Sequence, residues 1–185
     1  MTSTSDRPLL FLDVDGPLIP FGGSPEQYPH GYPARQRLDP AQIATNPLLV
    51  RLDPTHGARL SDLPCDLVWA TTWRSEANAT VSPLIGLPDL PVVDWPDLDD
   101  TGPLDRLHWK TRHLTAFAAH RPFVWVDDEI TSHDRTWVRA HHRAPTLLHR
   151  VDPHHGLTDA DFALLADWLG KLEAARMHRG TSSGG

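Results

Sequence analysis

The 185-residue sequence predicts an α/β fold built on a mostly parallel sheet. Five short apolar runs could be strands, and most of them lack apolar–polar alternation, which is typical of strands covered on both faces. Helical patterns lie between these runs, and such alternation favours parallel strands joined by right-handed crossovers. The predicted strands are residues 9–14, 67–71, 91–95, 122–127 and 145–151.

The segments between the strands have apolar residues at helical spacing and end near proline or glycine. We expect helices over residues 54–63, 75–85, 107–120, 130–142 and 158–176. The last of these carries an apolar stripe, at positions 162, 165, 169 and 172, along one helix face. Thr158, directly before it, is a good N-cap.

The segment over residues 19–53 is rich in proline and glycine and is too long for an ordinary strand–helix loop. We interpret it as a flap after the first strand, in which residues 48–52 (LLVRL) add a short strand. The rest of the pattern fits one domain over residues 1–178, followed by a flexible tail at 179–185.

Composition limits the classes of function. The sequence is 39% hydrophobic and 22% charged, which excludes an intrinsically disordered chain. A formal charge of −7 argues against broad, non-specific nucleic-acid binding. The single cysteine, Cys65, cannot form an internal disulfide. No signal core or membrane-length apolar run is present, so we expect a cytoplasmic protein without a membrane partner. Protein partners stay open.

The first predicted strand ends in two acids, Asp13 and Asp15, followed by Gly16. In an extended chain, residues i and i+2 point to the same side, so both carboxylates would face one small space. A divalent cation would offset their repulsion, and Mg²⁺ prefers hard oxygen ligands. The alternative is an ordinary turn, because Asp-Gly is a common turn dipeptide.

Two further polar groups follow at matching places. The second strand ends at Thr71 and Thr72, and one of them would present its hydroxyl and N–H at this edge. The alternative is a helix N-cap, since Thr72 or Ser75 can start the following helix. Lys110 lies early in a predicted helix, where a cation is mildly disfavoured. This placement indicates a role such as binding phosphate, although a solvated surface lysine remains the alternative.

The fourth predicted strand ends in three acids, Asp127, Asp128 and Glu129. One of them can cap the following helix, which leaves Asp127 at the strand end without a capping role. All these groups fall at the carboxyl ends of strands, the edge where open α/β sheets bind ligands. Their combination favours one active site over separate coincidences.

In this order and spacing, the motifs resemble the haloacid dehalogenase (HAD) superfamily of phosphohydrolases. They are DVDG (13–16), Thr71 in VWATTW, Lys110 in HWKT, and Asp127-Asp128 in WVDDE. More narrowly, LFLDVDGPL, GLPDLPVVDW and HRVDPHHGLT resemble the HAD domains associated with Swiss Army Knife RNA repair proteins. The resemblance implies a Rossmann-like three-layer sandwich with five strands in the order 3-2-1-4-5 and a minimal cap.

The resemblance also implies a phosphatase mechanism. Asp13 would attack phosphorus and form an aspartyl-phosphate, and Asp15 would act as the proton shuttle. Mg²⁺ would be held by Asp13, the backbone carbonyl of Asp15 and Asp127, with Asp128 as a direct or indirect ligand. Thr71 and Lys110 would bind the phosphoryl oxygens. Pro17, where many relatives have Thr or Val, is expected to stiffen the entry to the flap.

The substrate is the least determined part of this interpretation. The RNA repair resemblance favours a phosphorylated nucleic-acid end or nucleotide, whereas a phosphorylated small metabolite is an alternative. Trp73 and Arg74 either line the entrance, where they could contact a base and a phosphate, or Trp73 packs under the flap. A binding module that has lost turnover is a further alternative. A response-regulator receiver is disfavoured, because Lys110 precedes the last acid pair.

Overall fold

The computed structural model describes residues 7–95 and 106–181. Its sheet has four parallel strands in the order β2-β1-β3-β4. The strands are β1 (Leu9–Leu12), β2 (Asp66–Trp69), β3 (Phe123–Asp127) and β4 (Thr146–Arg150). The α/β class and the parallel pairing are therefore as predicted. The order also agrees with the predicted one for the four strands that form.

The predicted strand over residues 91–95 is wrong, because this segment does not become a fifth strand. It meets β2 only at an isolated parallel bridge between Trp69 and Val92. Two hydrogen bonds flank that bridge, from Trp69 N–H to Pro91 O (2.8 Å) and from Val93 N–H to Trp69 O (2.9 Å). Because β2 ends at Trp69 and Pro91 has no N–H to donate, the ladder cannot extend in either direction.

Helices cover both faces of the sheet and give the expected three layers. The helices are α1 (Pro40–Thr45), α2 (His56–Ser61), α3 (Ser82–Ile85), α4 (Lys110–Ala118), α5 (Ser132–His141) and α6 (Asp159–Thr181). On one face Leu10 and Leu12 pack in a core cluster with Leu60 of α2 and Leu165 of α6. On the other face, Phe11 packs in a cluster with residues of α4 and α5. Successive side chains of β1 therefore point to opposite faces of the sheet and pack in two separate cores.

Two of the predicted helices, 75–85 and 158–176, differ from the structure in kind or in length. The segment predicted as one helix over 75–85 contains a π-helical turn, Ala77–Val81, before α3. Thr158 caps α6 through a reciprocal pair of hydrogen bonds with Asp161, as its sequence position indicates. The backbone of α6 extends to Thr181, five residues past the expected end. The remainder of the predicted tail, 182–185, lies outside the described residues.

The flap over residues 19–53 is mostly irregular, but its predicted strand is wrong. Residues 48–52 belong largely to a 3₁₀ helix, Pro47–Arg51, which follows α1. Asn46 caps this turn, since its side chain accepts a hydrogen bond from Leu48 N–H at 2.9 Å. Pro47 occupies the first helical position, where its missing N–H has no cost. These local signals outweigh the apolar run, which by itself looks like a strand.

None of the helices in the described ranges, 7–95 and 106–181, is both long and apolar enough to cross a membrane. Cys65 is buried and free.

Candidate active site

The predicted site residues lie where the carboxyl ends of the central strands meet. Asp13 follows β1 directly and is held beside β3 by a hydrogen bond from its N–H to Val126 O, at 3.1 Å. Asp127 is the last residue of β3. Lys110 is the first residue of α4 and brings its side chain to the same place. The parallel topology therefore places these three groups together.

Lys110 bridges two carboxylates. Its Nζ lies 2.6 Å from Asp13 Oδ2 and 2.7 Å from Asp127 Oδ2. The lysine is only 2% exposed, and Asp127 is fully buried. The surface-lysine alternative for Lys110 is therefore wrong, and the lysine is instead part of a buried charged cluster.

Backbone and indole N–H groups fix the two carboxylates further. Asp13 Oδ1 accepts a hydrogen bond from Val14 N–H at 2.8 Å. Asp127 Oδ1 accepts one from Glu129 N–H at 2.9 Å, and Asp127 Oδ2 accepts one from the indole of Trp125 at 3.2 Å. Each carboxylate keeps lone pairs that these bonds do not use. Both acids are therefore oriented while retaining capacity for a ligand.

Asp128 completes a group of three acids. One carboxylate oxygen from each of Asp13, Asp127 and Asp128 lies within 4.8 Å of the others. A side chain at Gly16 would collide with this arrangement, because a Cβ built there lies 2.6 Å from Asp128 Cγ. Gly16 also has φ +85°, a conformation that favours glycine. The glycine of the first motif thus makes room for an acid of the last one.

The charges in this cluster do not balance, since three carboxylates share one ammonium group. Burial, opposed by Lys110 and assisted by the charge of Asp127, raises the pKa of Asp13 to about 7. Burial and then Asp127 raise the pKa of Asp128 to about 6. For Lys110, burial alone would lower the pKa, but the two carboxylates outweigh it and raise the pKa. The cluster therefore favours an additional positive charge.

Asp15 stands apart from the three acids, although it is only two residues from Asp13. Its Oδ2 accepts a hydrogen bond from the indole N–H of Trp73 at 2.9 Å. Asp15 is half-buried, and Trp73 also packs against the larger core cluster. The two acids of the first motif consequently have different partners, and they have different surroundings too.

Thr71 is fully buried just beyond β2, next to the strand that carries Asp13. Its Oγ1 accepts a hydrogen bond from Trp73 N–H at 3.3 Å, and its carbonyl accepts one from the indole of Trp95 at 3.0 Å. The Thr71 hydroxyl oxygen therefore stabilises the turn in which Trp73 lies beside Asp15. This local bond leaves the hydroxyl proton of Thr71 available to donate.

A second possible metal group, formed by His108, Asp127 and Glu129, is less suitable. His108 Nδ1 accepts a hydrogen bond from Lys110 N–H at 3.2 Å, while Nε2 lies 3.0 Å from Glu129 Oε2. Because Nδ1 is the acceptor, the ring proton belongs on Nε2, where it is donated to Glu129. That nitrogen then has no lone pair to offer a cation.

Asp134 is a structural acid that the sequence did not single out. It is fully buried and accepts hydrogen bonds from His108 N–H (2.8 Å) and Thr111 Oγ1 (2.6 Å). It also accepts two from Thr131, from the backbone N–H (2.8 Å) and the hydroxyl (2.6 Å). One carboxylate thereby ties the beginning of α4, with Lys110, to the beginning of α5.

The sequence did not indicate that two tryptophans, Trp125 and Trp73, donate hydrogen bonds to acids of the site. Trp125 precedes Asp127 by two residues on β3, so the i, i+2 rule used for the first motif would have placed both on one side. Trp73 had two interpretations, and the structure supports packing together with a contact to Asp15 that neither interpretation included. That contact depends on the turn geometry after Thr71.

The unbalanced acids predict a pH dependence of stability in the absence of metal. Folding raises the pKa of Asp128 from 3.8 to about 6, so its stabilising contribution is complete below the unfolded value and is lost as the pH rises through the folded value. In EDTA, Asp128→Asn should therefore gain stability relative to the wild type between about pH 4 and pH 6. Urea unfolding across this range measures the difference.

Mg²⁺ supplies the matching control for this prediction. Added Mg²⁺ should stabilise the wild type more than Asp128→Asn at about pH 8. A cation that binds only the folded state stabilises that state, and the variant lacks one of the proposed ligands. A difference between the two proteins that stays constant with pH in EDTA would contradict the prediction.

A family model described as the HAD domain in Swiss Army Knife RNA repair proteins matches residues 9–162. No curated protein and no solved structure gave a significant match.

Proposed function

Because the chain belongs to the family of HAD domains in Swiss Army Knife RNA repair proteins, we propose that it is a Mg²⁺-dependent phosphomonoester hydrolase. The family indicates a HAD-type hydrolase in general. The finer proposal is hydrolysis of phosphorylated nucleic-acid ends through an aspartyl-phosphate. The observation that carries it is the buried carboxylate of Asp13, held 2.6 Å from the ammonium of Lys110 and within 4.8 Å of two further acids.

Asp13 is proposed as the nucleophile. In the first step one of its carboxylate oxygens forms a bond to phosphorus while the bond from phosphorus to the ester oxygen breaks. The Val14 N–H bond to Oδ1 and the Lys110 bond to Oδ2 hold the carboxylate in one orientation before the reaction. Such positioning supports covalent catalysis, in which one difficult displacement becomes two easier ones.

Asp15 is proposed as the proton shuttle. It would give its proton to the departing ester oxygen, and later take one from the water that attacks phosphorus and releases Asp13. The Trp73 indole donates to Asp15 Oδ2 at 2.9 Å, whereas Lys110 bonds to Asp13 and Asp127. Different partners for the two carboxylates support different roles, since a nucleophile and an acid need different protonation states.

The acids fit the metal that the family implies. Asp13, Asp127 and Asp128 offer only hard oxygen donors and carry more negative charge than Lys110 can balance, which suits Mg²⁺. The backbone carbonyl of Asp15 is proposed as a further ligand. When bound, the cation would neutralise charge on the cluster and on the phosphoryl group.

Lys110 and Thr71 are proposed to bind the phosphoryl oxygens. Lys110 is a buried cation beside the nucleophile, so it would offset the charge that an approaching phosphate brings. The Thr71 hydroxyl accepts from Trp73 N–H and can still donate its own proton. Both groups would act without moving from the carboxyl edge of the sheet.

The test is a substrate panel with purified full-length protein. We expect Mg²⁺-dependent phosphate release from 5′- or 3′-phosphorylated oligoribonucleotides, with a higher kcat/KM than for sugar phosphates, nucleotides or p-nitrophenyl phosphate. Faster turnover of the small molecules would overturn the nucleic-acid assignment but support a metabolite phosphatase. Absence of release across the whole panel with Mg²⁺ present would overturn the enzyme proposal and favour a binding module.

A further inference from the structure

A cavity of about 380 Å³ lies between the flap (residues 19–53) and the body of the domain. Its flap side includes Tyr28 and Tyr32, and its body side includes residues of α2 and the loop before α6. Pro17 and Leu18 also line it, and they follow the proposed proton shuttle Asp15 in the chain. The cavity is therefore next to the first motif but uses none of the proposed catalytic side chains.

Positive charge is in excess in this cavity. Three arginines line it, Arg35, Arg51 and Arg59, against two carboxylates, Asp53 and Asp159. The chain as a whole has a formal charge of −7, so a local excess of cations is opposite to the overall balance. Such a patch attracts anions despite the acidic composition of the protein.

Each of these guanidinium groups keeps N–H donors that the described residues do not use. A guanidinium has five N–H donors in a fixed fork, which matches the oxygens of a phosphate. Each arginine makes its hydrogen bond to protein through Nη1: Arg35 to Asp53 (2.6 Å), Arg51 to Pro20 O (2.7 Å) and Arg59 to Asp159 (2.8 Å). The spare donors are available for an oxyanion in the cavity.

His56 also lines the cavity and is only 8% exposed. Its Nδ1 is buried without a hydrogen-bond partner among the described residues, which costs free energy, but a buried atom does not offer a contact to a ligand in the cavity. The ring itself is fixed, 5.3 Å from the ring of Phe162.

The flap residues that line the cavity are held in place by contacts with one another and with the body of the domain. The rings of Tyr28 and Tyr32 stack at 4.0 Å, and the Arg51 guanidinium lies 4.2 Å from the centre of the Tyr32 ring. The Tyr28 hydroxyl donates to His154 O at 2.5 Å, which joins the flap to the body. Tyr32 Oη accepts a hydrogen bond from Gly23 N–H at 2.8 Å. A cavity with fixed walls binds at a lower entropic cost.

We propose that this cavity binds an internal phosphodiester group of a single-stranded oligonucleotide. Arginine forks bind phosphate oxygens, and three arginines line this cavity. The inference of an anion site depends only on the cavity. The inference that this site helps to present a nucleic-acid end to Asp13 rests on the proposed function. The cavity then supplies contacts that a small phosphorylated metabolite cannot make.

The test measures binding without turnover. A fluorescently labelled short oligoribonucleotide with hydroxyl groups at both ends is titrated with the protein in EDTA, and inorganic phosphate is used as a competitor. We expect Arg51→Gln and Arg59→Gln each to weaken oligonucleotide binding about tenfold and to reduce the slope of log K against log salt by about one. Arg37→Gln, an exposed flap arginine outside the cavity lining, is the matched control.

Thermal unfolding of each variant checks that the domain stays folded. If the arginine binds a phosphate through its charge, its substitution lowers the salt slope of oligonucleotide binding, whereas a loss of packing leaves that slope unchanged. Binding by both variants that equals that of the control would overturn the proposal, as would a wild type that does not bind the oligonucleotide. Displacement of the oligonucleotide by equimolar phosphate would assign the site to the free anion instead. Because no hydrolysis is needed, these outcomes are independent of the phosphatase test.

Discussion

Asp13→Asn is expected to lower Mg²⁺-dependent phosphate release by about 10³-fold or more, because the amide cannot act as the attacking carboxylate. The substitution is close to isosteric, but the single amide oxygen can accept from Val14 N–H or from Lys110 Nζ and not from both. Thermal unfolding of the variant therefore separates a loss of chemistry from a change of fold. Initial rates with the best substrate of the panel measure the activity.

Asp62→Asn is the control for this change, because Asp62 is an exposed carboxylate at the end of α2. It should retain the wild-type rate within about twofold, as expected for a surface substitution. If Asp13→Asn kept more than about a tenth of the wild-type rate, Asp13 would not be the nucleophile.

Lys110→Met is expected to destabilise the metal-free protein by about 3–5 kcal/mol, because it leaves buried carboxylates without their counter-ion. The Lys110 side chain is 3% exposed and lies within 2.7 Å of both Asp13 and Asp127. Added Mg²⁺ should recover part of this loss, since a cation bound to the same acids restores the charge balance. Urea unfolding in EDTA and in Mg²⁺ measures both effects.

The chain offers a matched control, since Lys171 is its other lysine. Its side chain is 73% exposed and pairs with Asp167 one helical turn away. Lys171→Met should change stability by less than about 0.5 kcal/mol, with or without Mg²⁺. Equal effects of the two substitutions would show that the buried bridge has no special energetic role.

The fold could be predicted where local pattern and topology agree. Four apolar runs form the parallel sheet. Asp13, Lys110 and Asp127 are far apart in the chain but form one cluster, because parallel strands end at the same edge of the sheet. The run at 91–95 has a similar composition but lacks a continuing partner beyond Trp69. The LLVRL stretch became a 3₁₀ turn, because Asn46 and Pro47 favour a helical start.

The detailed geometry of the site could not be predicted from the sequence, for a different reason. That Lys110 bridges two acids, and that Trp73 bonds to Asp15, depends on side-chain directions set by loops. The i, i+2 rule applies only to an extended chain, whereas β1 ends at Leu12, before either acid of the first motif. The sequence therefore predicted that Asp13, Lys110 and Asp127 lie close together, but not that Asp15 bonds to Trp73 instead of joining them.

Asp13 is proposed to become phosphorylated during turnover. The most direct measurement is an acid quench of the enzyme during turnover of a phosphorylated substrate, followed by borohydride reduction and mass spectrometry of the peptide that contains residues 9–18. We expect reduction of an acyl phosphate at position 13, which converts the aspartate to homoserine, in a Mg²⁺-dependent manner. Phosphate release at the normal rate with an unmodified Asp13, or with the modification on Asp15 instead, would contradict it.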